Sequence, residues 1–293
     1  MNRAKKFTSI SLLLLSTLFW GGGFVFVKWI KPYLNPFESN HLRFYIAAIL
    51  VVPYIFYRRK IKNNQQPWLS PAIAAIFVYL MLILQTWGLY FTTVAKAGFL
   101  TTLYVLLIPL LLWFKEKRRF SSHFIFYCCL STLGIFLLNN ANFSDWNQGD
   151  TLVTLCAVFA AIHIIYIEKI QPHITDPFLF NAEQCLFLGL YAVGLSFFHD
   201  DHFFQRIENF DHLAWIGVLC LSILSSILAF GFQVYAQAHI PSQVAGILFL
   251  LESPFAAILA YLWLAESLTA MAMIGAIIVI GSSIAIISKN SNS

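Results

Sequence analysis

Charge is scarce in this sequence: Asp, Glu, Lys and Arg together make up 11% of its 293 residues, against roughly 25% in soluble globular chains. With 59% of residues hydrophobic, too little polar surface remains to coat a water-soluble globule. Cysteine is sparse as well. The five, Cys128, Cys129, Cys156, Cys185 and Cys220, all fall inside apolar runs. An odd number at no metal-ligand spacing is a poor disulfide framework and suggests no zinc site, so they read as small apolar filler. Catalytic signatures are missing too. There is no Gly-x-Ser-x-Gly or His-Glu-x-x-His, and Gly21-Gly22-Gly23 lacks the Lys-Ser/Thr that completes a phosphate-binding loop. His199-Asp200-Asp201-His202 has metal-ligand residue types but reads as a solvated turn. No catalytic residue, metal or cofactor is expected. The net charge of +5 does not point to nucleic acid, because the basic residues sit in short clusters between apolar runs, as topology determinants do.

What the sequence has in abundance is apolar runs of membrane-spanning length, about 20 residues each. Reading between polar breaks gives ten: 8–28, 41–57, 71–91, 97–114, 121–139, 151–169, 180–198, 213–236, 243–264 and 269–288. Helix is forced, since lipid cannot satisfy an open sheet edge. The N-terminus resembles a signal peptide, but no small-residue cleavage site follows and further spans come at once, so it reads as an uncleaved first helix. Alternate connections hold 13 Lys and Arg on one side (Arg3, Lys5, Lys6, Arg58, Arg59, Lys60, Lys62, Lys115, Lys117, Arg118, Arg119, Lys169 and Lys289). The other side holds three, Lys31, Lys96 and Arg206. The positive-inside rule then puts both termini in the cytoplasm, with Asp145 and Asp200 outside. The expected location is a bacterial inner membrane.

The two halves resemble each other. At a shift of 141, Lys28 meets Lys169, Asn35 meets Asp176, and Pro36-Phe37 meets Pro177-Phe178. At a shift of 148, Gln85 meets Gln233, and Ala97-Gly98 meets Ala245-Gly246. Five spans per half is an odd number, so the second half must enter the membrane inverted. The expected units are 1–145 and 146–293, and inverted repeats of this kind frame a midplane site in secondary transporters.

Polar groups inside spans are expensive and usually face a cavity or a partner. Glu252 sits near the middle of the ninth span and His163 near the middle of the sixth, while Gln85 and Gln233 occupy corresponding places in the two halves. Glu252 reads as a cavity-lining contact for solute or proton, against the alternative of a hydrogen-bonded carboxyl that holds helices together. No Lys or Arg is expected at its depth, which leaves His163 as the nearest partner in height. Arg43, drawn close to the outer end of the second span, reads as reaching for headgroups. Glu168 and Lys169 read as snorkelling at a helix end. Trp20, Trp87, Tyr90, Tyr104, Tyr166 and Tyr235 are aromatic candidates for a cavity wall, or for packing and interfacial positions.

These residues carry a resemblance. Thr17 through Phe24, Pro36 through Arg43, Gln85-Thr86-Trp87-Gly88-Leu89, and Ala97 through Tyr104 and on to Pro109 are similar to the first four helices of the drug/metabolite transporter superfamily, in its EamA-type branch. Leu251-Glu252-Ser253-Pro254 through Glu266-Ser267-Leu268 resembles that branch's ninth helix, and Gly275 and Gly281 fit its tenth. Two departures stand out: Ser253 intervenes before Pro254, and the fourth helix ends in Lys115–Arg119, with Arg118 and not an acid at the place that Glu266 takes in the second half. The resemblance implies an all-α membrane protein of ten transmembrane helices as two inverted five-helix repeats. Spans one, three, four, six, eight and nine would surround a cavity, with five and ten as buttresses. Members move amino acids, nucleotide-linked metabolites and other small solutes, often outward. The expected activity is alternating-access transport of a small organic metabolite such as an amino acid, with Trp20, Gln85, Tyr104, His163, Gln233 and Glu252 lining the cavity. The partners expected are that solute and the lipid bilayer, with a homodimer left open. Two other readings stand beside it, an integral membrane enzyme acting on lipid and a non-transporting sensor or assembly subunit.

Overall fold

The computed structural model describes residues 3–62, 66–138, 146–196, 202–265 and 267–291. His199, Asp200 and Asp201 of the polar turn, together with Asp145 and Glu266, lie outside the described residues. Among the described residues ten helical spans follow one another. The first three are α1 (Arg3–Ile30), α2 (Pro36–Lys62) and α3 (Leu69–Phe91), and the fourth is made of α4 (Val94–Thr102) and α5 (Tyr104–Glu116). The fifth is α6 (Ser122–Leu138), the sixth α7 (Gln148–Ile170) and the seventh α8 (Pro177–Gly194). A short surface helix, α9 (Phe203–Glu208), precedes the eighth span, which is α10 (His212–Cys220), a π-helical stretch (Leu221–Ala229) and α11 (Phe230–Gln237). The ninth is α12 (Ser242–Phe249) plus α13 (Glu252–Leu264), and the tenth is α14 (Ala270–Ser291).

Local chemistry starts these helices where the sequence marks them. Asn35 accepts from the Glu38 N–H and Glu38 accepts from the Asn35 N–H, both at 2.9 Å, a reciprocal cap on α2. Asn147 and Asp150 repeat that cap on α7, and Asp176 caps α8 ahead of Pro177. Proline in the first turn costs no hydrogen bond, because that N–H has no helical partner anyway. Outward faces are apolar, as at Phe56 (72% exposed) and Ile277 (69%), which suits hydrocarbon as solvent.

Packing follows a two-fold pattern. The first span lies against the eighth and ninth, as the sixth lies against the third and fourth, while the second pairs with the seventh and the fifth with the tenth. Glycines allow the tightest crossings. A Cβ on Gly88 of α3 would sit 2.6 Å from the Gly149 carbonyl of α7, and one on Gly149 would sit 2.6 Å from the Gly88 carbonyl. Gly134 of α6 faces the Gly275 carbonyl of α14 in the same way. Within the first-span glycine run the close approach is at Gly21, where a Cβ would be 2.8 Å from the Glu252 carbonyl. At Gly22 the nearest atoms belong to Phe26 of the same helix.

The two composite spans are the architecture's main irregularity, and they match. Leu103 joins α4 to α5, and Leu250 and Leu251 join α12 to α13, each through hydrogen bonds tightened to three residues. Both spans end in a residue in the left-handed conformation with φ 54°, Lys117 in one and Ala265 in the other. Those two caps are 148 positions apart, as are Tyr104 and Glu252, which open the second segments of the two spans. Despite the added Ser253, the joint falls immediately before Glu252.

The first turns of α1, the α5–α6 turn and the stretch from α11 into α12 share one face of the bundle, the terminal face. Ser9 Oγ lies 3.3 Å from His239 Nδ1 there. Glu168 and Lys169 do not simply snorkel on this face. Glu168 accepts from Arg118 (3.0 Å) and from the Ser242 N–H (2.8 Å), and Lys169 pairs with Glu116 at 2.9 Å. On the opposite face Asp150 pairs with Lys96 (2.6 Å) and accepts from Thr92 (2.7 Å), and Arg206 of α9 pairs with Glu38 at 3.0 Å.

Candidate functional site

A central cavity offers about 60 Å³ to the centre of a water-sized sphere. That is room for several waters. Both halves wall it. Trp20, Gln85, Tyr104, His163, Gln233 and Glu252 all line it, so the structure brings together the six residues singled out in the sequence. Trp87, Tyr90, Tyr166 and Tyr235 do not line it. They pack toward span ends, as in the Phe37–Trp87 and Phe178–Tyr235 ring pairs and the bonds from Tyr90 to the Leu34 carbonyl and from Tyr166 to that of Ser70.

Arg43 also lines the cavity, contrary to the sequence expectation that it reaches for headgroups. Helix α2 begins at Pro36, five residues before the drawn span, so Arg43 lies about 11 Å along the helix axis at 1.5 Å per residue. It is 3% exposed. A cation therefore does face the cavity that Glu252 faces, and the second span joins the six that the resemblance implied. The π-helical stretch of the eighth span makes this position. Its wider turns present two hydroxyls side by side, and Arg43 Nε donates to Ser226 Oγ (2.7 Å) while Nη2 donates to Ser225 Oγ (2.9 Å). Ser226 in turn donates to the Leu221 carbonyl five residues back, at 3.1 Å. π segments within α-helices often mark functional sites.

The other cavity residues divide into held and unheld groups. Trp20 donates to the Ser225 carbonyl at 3.2 Å and lies between the rings of Phe230 and Phe249, with centroids at 5.0 and 5.1 Å. Gln85 donates to Thr101 at 3.2 Å. His163 bonds Gln184 at 3.1 Å and stands edge-on to Phe230, so it is not the partner of Glu252. Gln184 continues to Asn181, which donates to the carbonyls of Ser226 and Ile227. Gln233 donates to Gln237 at 2.8 Å, but among the described residues its carbonyl oxygen has no partner, and neither does the Tyr104 hydroxyl. The Glu252 side chain, 6% exposed, takes part in no ion pair or hydrogen bond among the described residues. Buried polar groups are nearly always satisfied, so three unheld polar groups on one narrow cavity call for water or a ligand.

Sequence reasoning missed Arg43, Thr101 and Ser225 as lining residues, and the Asn40–Asn181 pair. That pair was findable, because the two asparagines stand at the same shift of 141 as the helix caps. Each donates across to a backbone carbonyl, Asn40 to Leu82 and Asn181 to Ser226 and Ile227. Among the described residues no group of three or more His, Cys, Asp or Glu side chains is arranged to hold a metal ion.

Comparison with known proteins gives a consistent picture. The model of the EamA-like transporter family matches residues 7–140 and again 147–288. An uncharacterized transporter of Archaeoglobus fulgidus is 27% identical over 92% of this chain and 82% of its own length. The uncharacterized transporter YetK of Bacillus subtilis is 23% identical, over 89% and 81% respectively. A WAT1-related chloroplastic protein of Arabidopsis thaliana is 23% identical over 92% of this chain and 67% of its own length. A crystal structure at 16% identity superposes with a TM-score of 0.75 over 97% of this chain and 99% of that one, a likeness of fold.

Proposed function

We propose a mechanism from one premise: this chain belongs to the EamA-like transporter family, within the drug/metabolite transporter superfamily. It is a multi-pass membrane transporter and not an enzyme, which sets aside the lipid-enzyme reading. The finer reading is a secondary carrier that moves a small organic metabolite such as an amino acid, as exporter or exchanger, by alternating access. The two halves, divided near residue 145, rock about the cavity. The observation that carries this reading is a narrow central cavity walled by corresponding spans of both halves, with unheld polar oxygens inside an otherwise aromatic and aliphatic wall. Since the sequence has no nucleotide-binding loop, a solute or ion gradient would supply the driving force.

The Lys and Arg bias supports a cytoplasmic terminal face in a bacterial inner membrane. Reporter fusions in the connections near residues 64 and 145 should report opposite compartments. Identical reports would overturn both the topology and the inverted arrangement. The test of function is counterflow in liposomes containing the purified protein and loaded with a cell metabolite extract. Saturable exchange of at least one small metabolite is expected, and its absence in active-orientation controls would overturn the carrier reading.

A further inference from the structure

Among the described residues, buried acids follow a rule with one exception. Glu38, Asp150, Asp176 and Glu183 are all buried, and each has a cationic partner: Arg206, Lys96, Arg58 and Arg59. Glu252 has none. Arg43 breaks the rule from the other side. It is a buried base whose hydrogen bonds among the described residues run to neutral serine oxygens, with the Phe44 ring beside it and two of its five N–H donors engaged. Those hydroxyls fix the guanidinium plane without neutralising its charge. These two ionisable groups face one cavity and lie beyond ion-pair distance of each other. Leaving an ionisable group without an opposite partner inside a membrane protein is costly, so an arrangement that leaves two is informative about what enters.

We infer that the cavity binds its solute as an oriented zwitterion, with an anionic end on Arg43 and a primary ammonium end on Glu252. This rests on the carrier reading and assigns polarity to the site of that carrier. A planar guanidinium with free donors suits a carboxylate, which can accept two parallel bonds. At the other pole, an ammonium has three N–H donors. The unheld oxygens number three in kind: the Glu252 carboxylate, the Gln233 carbonyl and the Tyr104 hydroxyl. Trp20 and Phe249, which line the same cavity and pack on each other, supply an apolar wall for the solute's body.

The experiment is binding to the purified wild-type protein in detergent. The probes are each of the twenty L-amino acids and, for the strongest binder, the matching decarboxylated amine and deaminated acid. The wild type should bind the amino acid at least tenfold more tightly than either analogue, about 1.4 kcal/mol. Arg43→Gln should erase the preference over the amine, and Glu252→Gln the preference over the acid. Retained affinity for the amine in Arg43→Gln shows an intact cavity. If that variant binds nothing, the Ser225→Ala/Ser226→Ala double variant decides, because it keeps the cation and removes its two anchors. A reduced preference there supports the assignment and an unchanged one overturns it. The inference also fails if the wild type binds an analogue as tightly as the amino acid, if it binds none of the twenty, or if Arg43→Gln keeps the wild-type preference. Wild-type liposomes that exchange only non-zwitterionic solutes would overturn the inference and leave the carrier reading standing. Liposomes that exchange nothing would overturn both.

Discussion

The fourth and ninth spans are built alike and equipped differently. Both are interrupted by a tight joint next to the cavity, and both end in a left-handed cap. At the joint, however, the fourth span offers the neutral hydroxyl of Tyr104 and the ninth the carboxyl of Glu252. Their neighbours differ too. Gly21 of α1 packs its backbone against the Glu252 joint, whereas the position 141 further on, Ile162 of α7, carries a branched side chain. The fourth span ends in basic residues, of which Arg118 ties α7 and α12 together through Glu168, Ser242 and Gln243. The repeat supplies the geometry twice, and the chemistry is placed once.

The largest effect expected from breaking this difference is at Gly21. A leucine there must displace the Glu252 backbone, an overpacking cost of about 1–3 kcal/mol. Gly21→Leu should insert but transport nothing, while Gly22→Leu, facing Phe26 and Leu259, should retain partial activity. Equal rates in the two variants would show that the close approach is not where it matters. Next comes Glu252→Gln, which keeps shape and hydrogen bonding but removes the charge. Net transport in liposomes should fall at least about tenfold, ~1.4 kcal/mol of barrier, or lose its pH response while exchange persists. Normal rates with a normal pH response would make Glu252 a helix-packing group. Tyr104→Phe removes the corresponding hydroxyl of the other joint, and one hydrogen bond of about 0.5–1.5 kcal/mol predicts a roughly two- to tenfold rise in half-saturation. An effect as large as that of Glu252→Gln would make the two joints chemical equals. The smallest effect should come from Arg118→Ala. Its pairs are partly solvated, worth about 0–1 kcal/mol, so thermal stability in detergent should change little. A large loss there would place the asymmetry at the terminal face and not at the joints.

Much of the fold was legible because lipid leaves few choices: apolar length gave the spans, and Asn35, Asp176, Pro36 and Pro177 marked helix starts. Arg43 was misread for a definite reason. The polar run Glu38-Ser39-Asn40 was left outside the drawn span, but with His41 it forms the buried first two turns of α2, satisfied internally, and starting the span at His41 put Arg43 close to the surface. The π-helical stretch left no mark, since Leu221–Ala229 contains no glycine or proline and its serines read as ordinary small residues. The expected pairing of Glu252 with His163 failed because height along the membrane says nothing about azimuth. His163 faces Gln184.

The two shifts that relate the halves differ by seven residues. Positions up to Asn181 align at 141 and those from Gln233 onward at 148, so the surplus lies in the stretch that includes α9, whose Arg206 is tied to Glu38. A strictly two-fold carrier would be degenerate, because turning the molecule over would convert its inward-open form into its outward-open form at equal free energy. Seven residues present at one end and missing at the other lift that degeneracy. In a carrier working by the alternating access proposed above, the two open forms would then be unequally populated at rest even in a symmetric bilayer with equal solute on both sides, with the bias set by the connections as well as by the cavity.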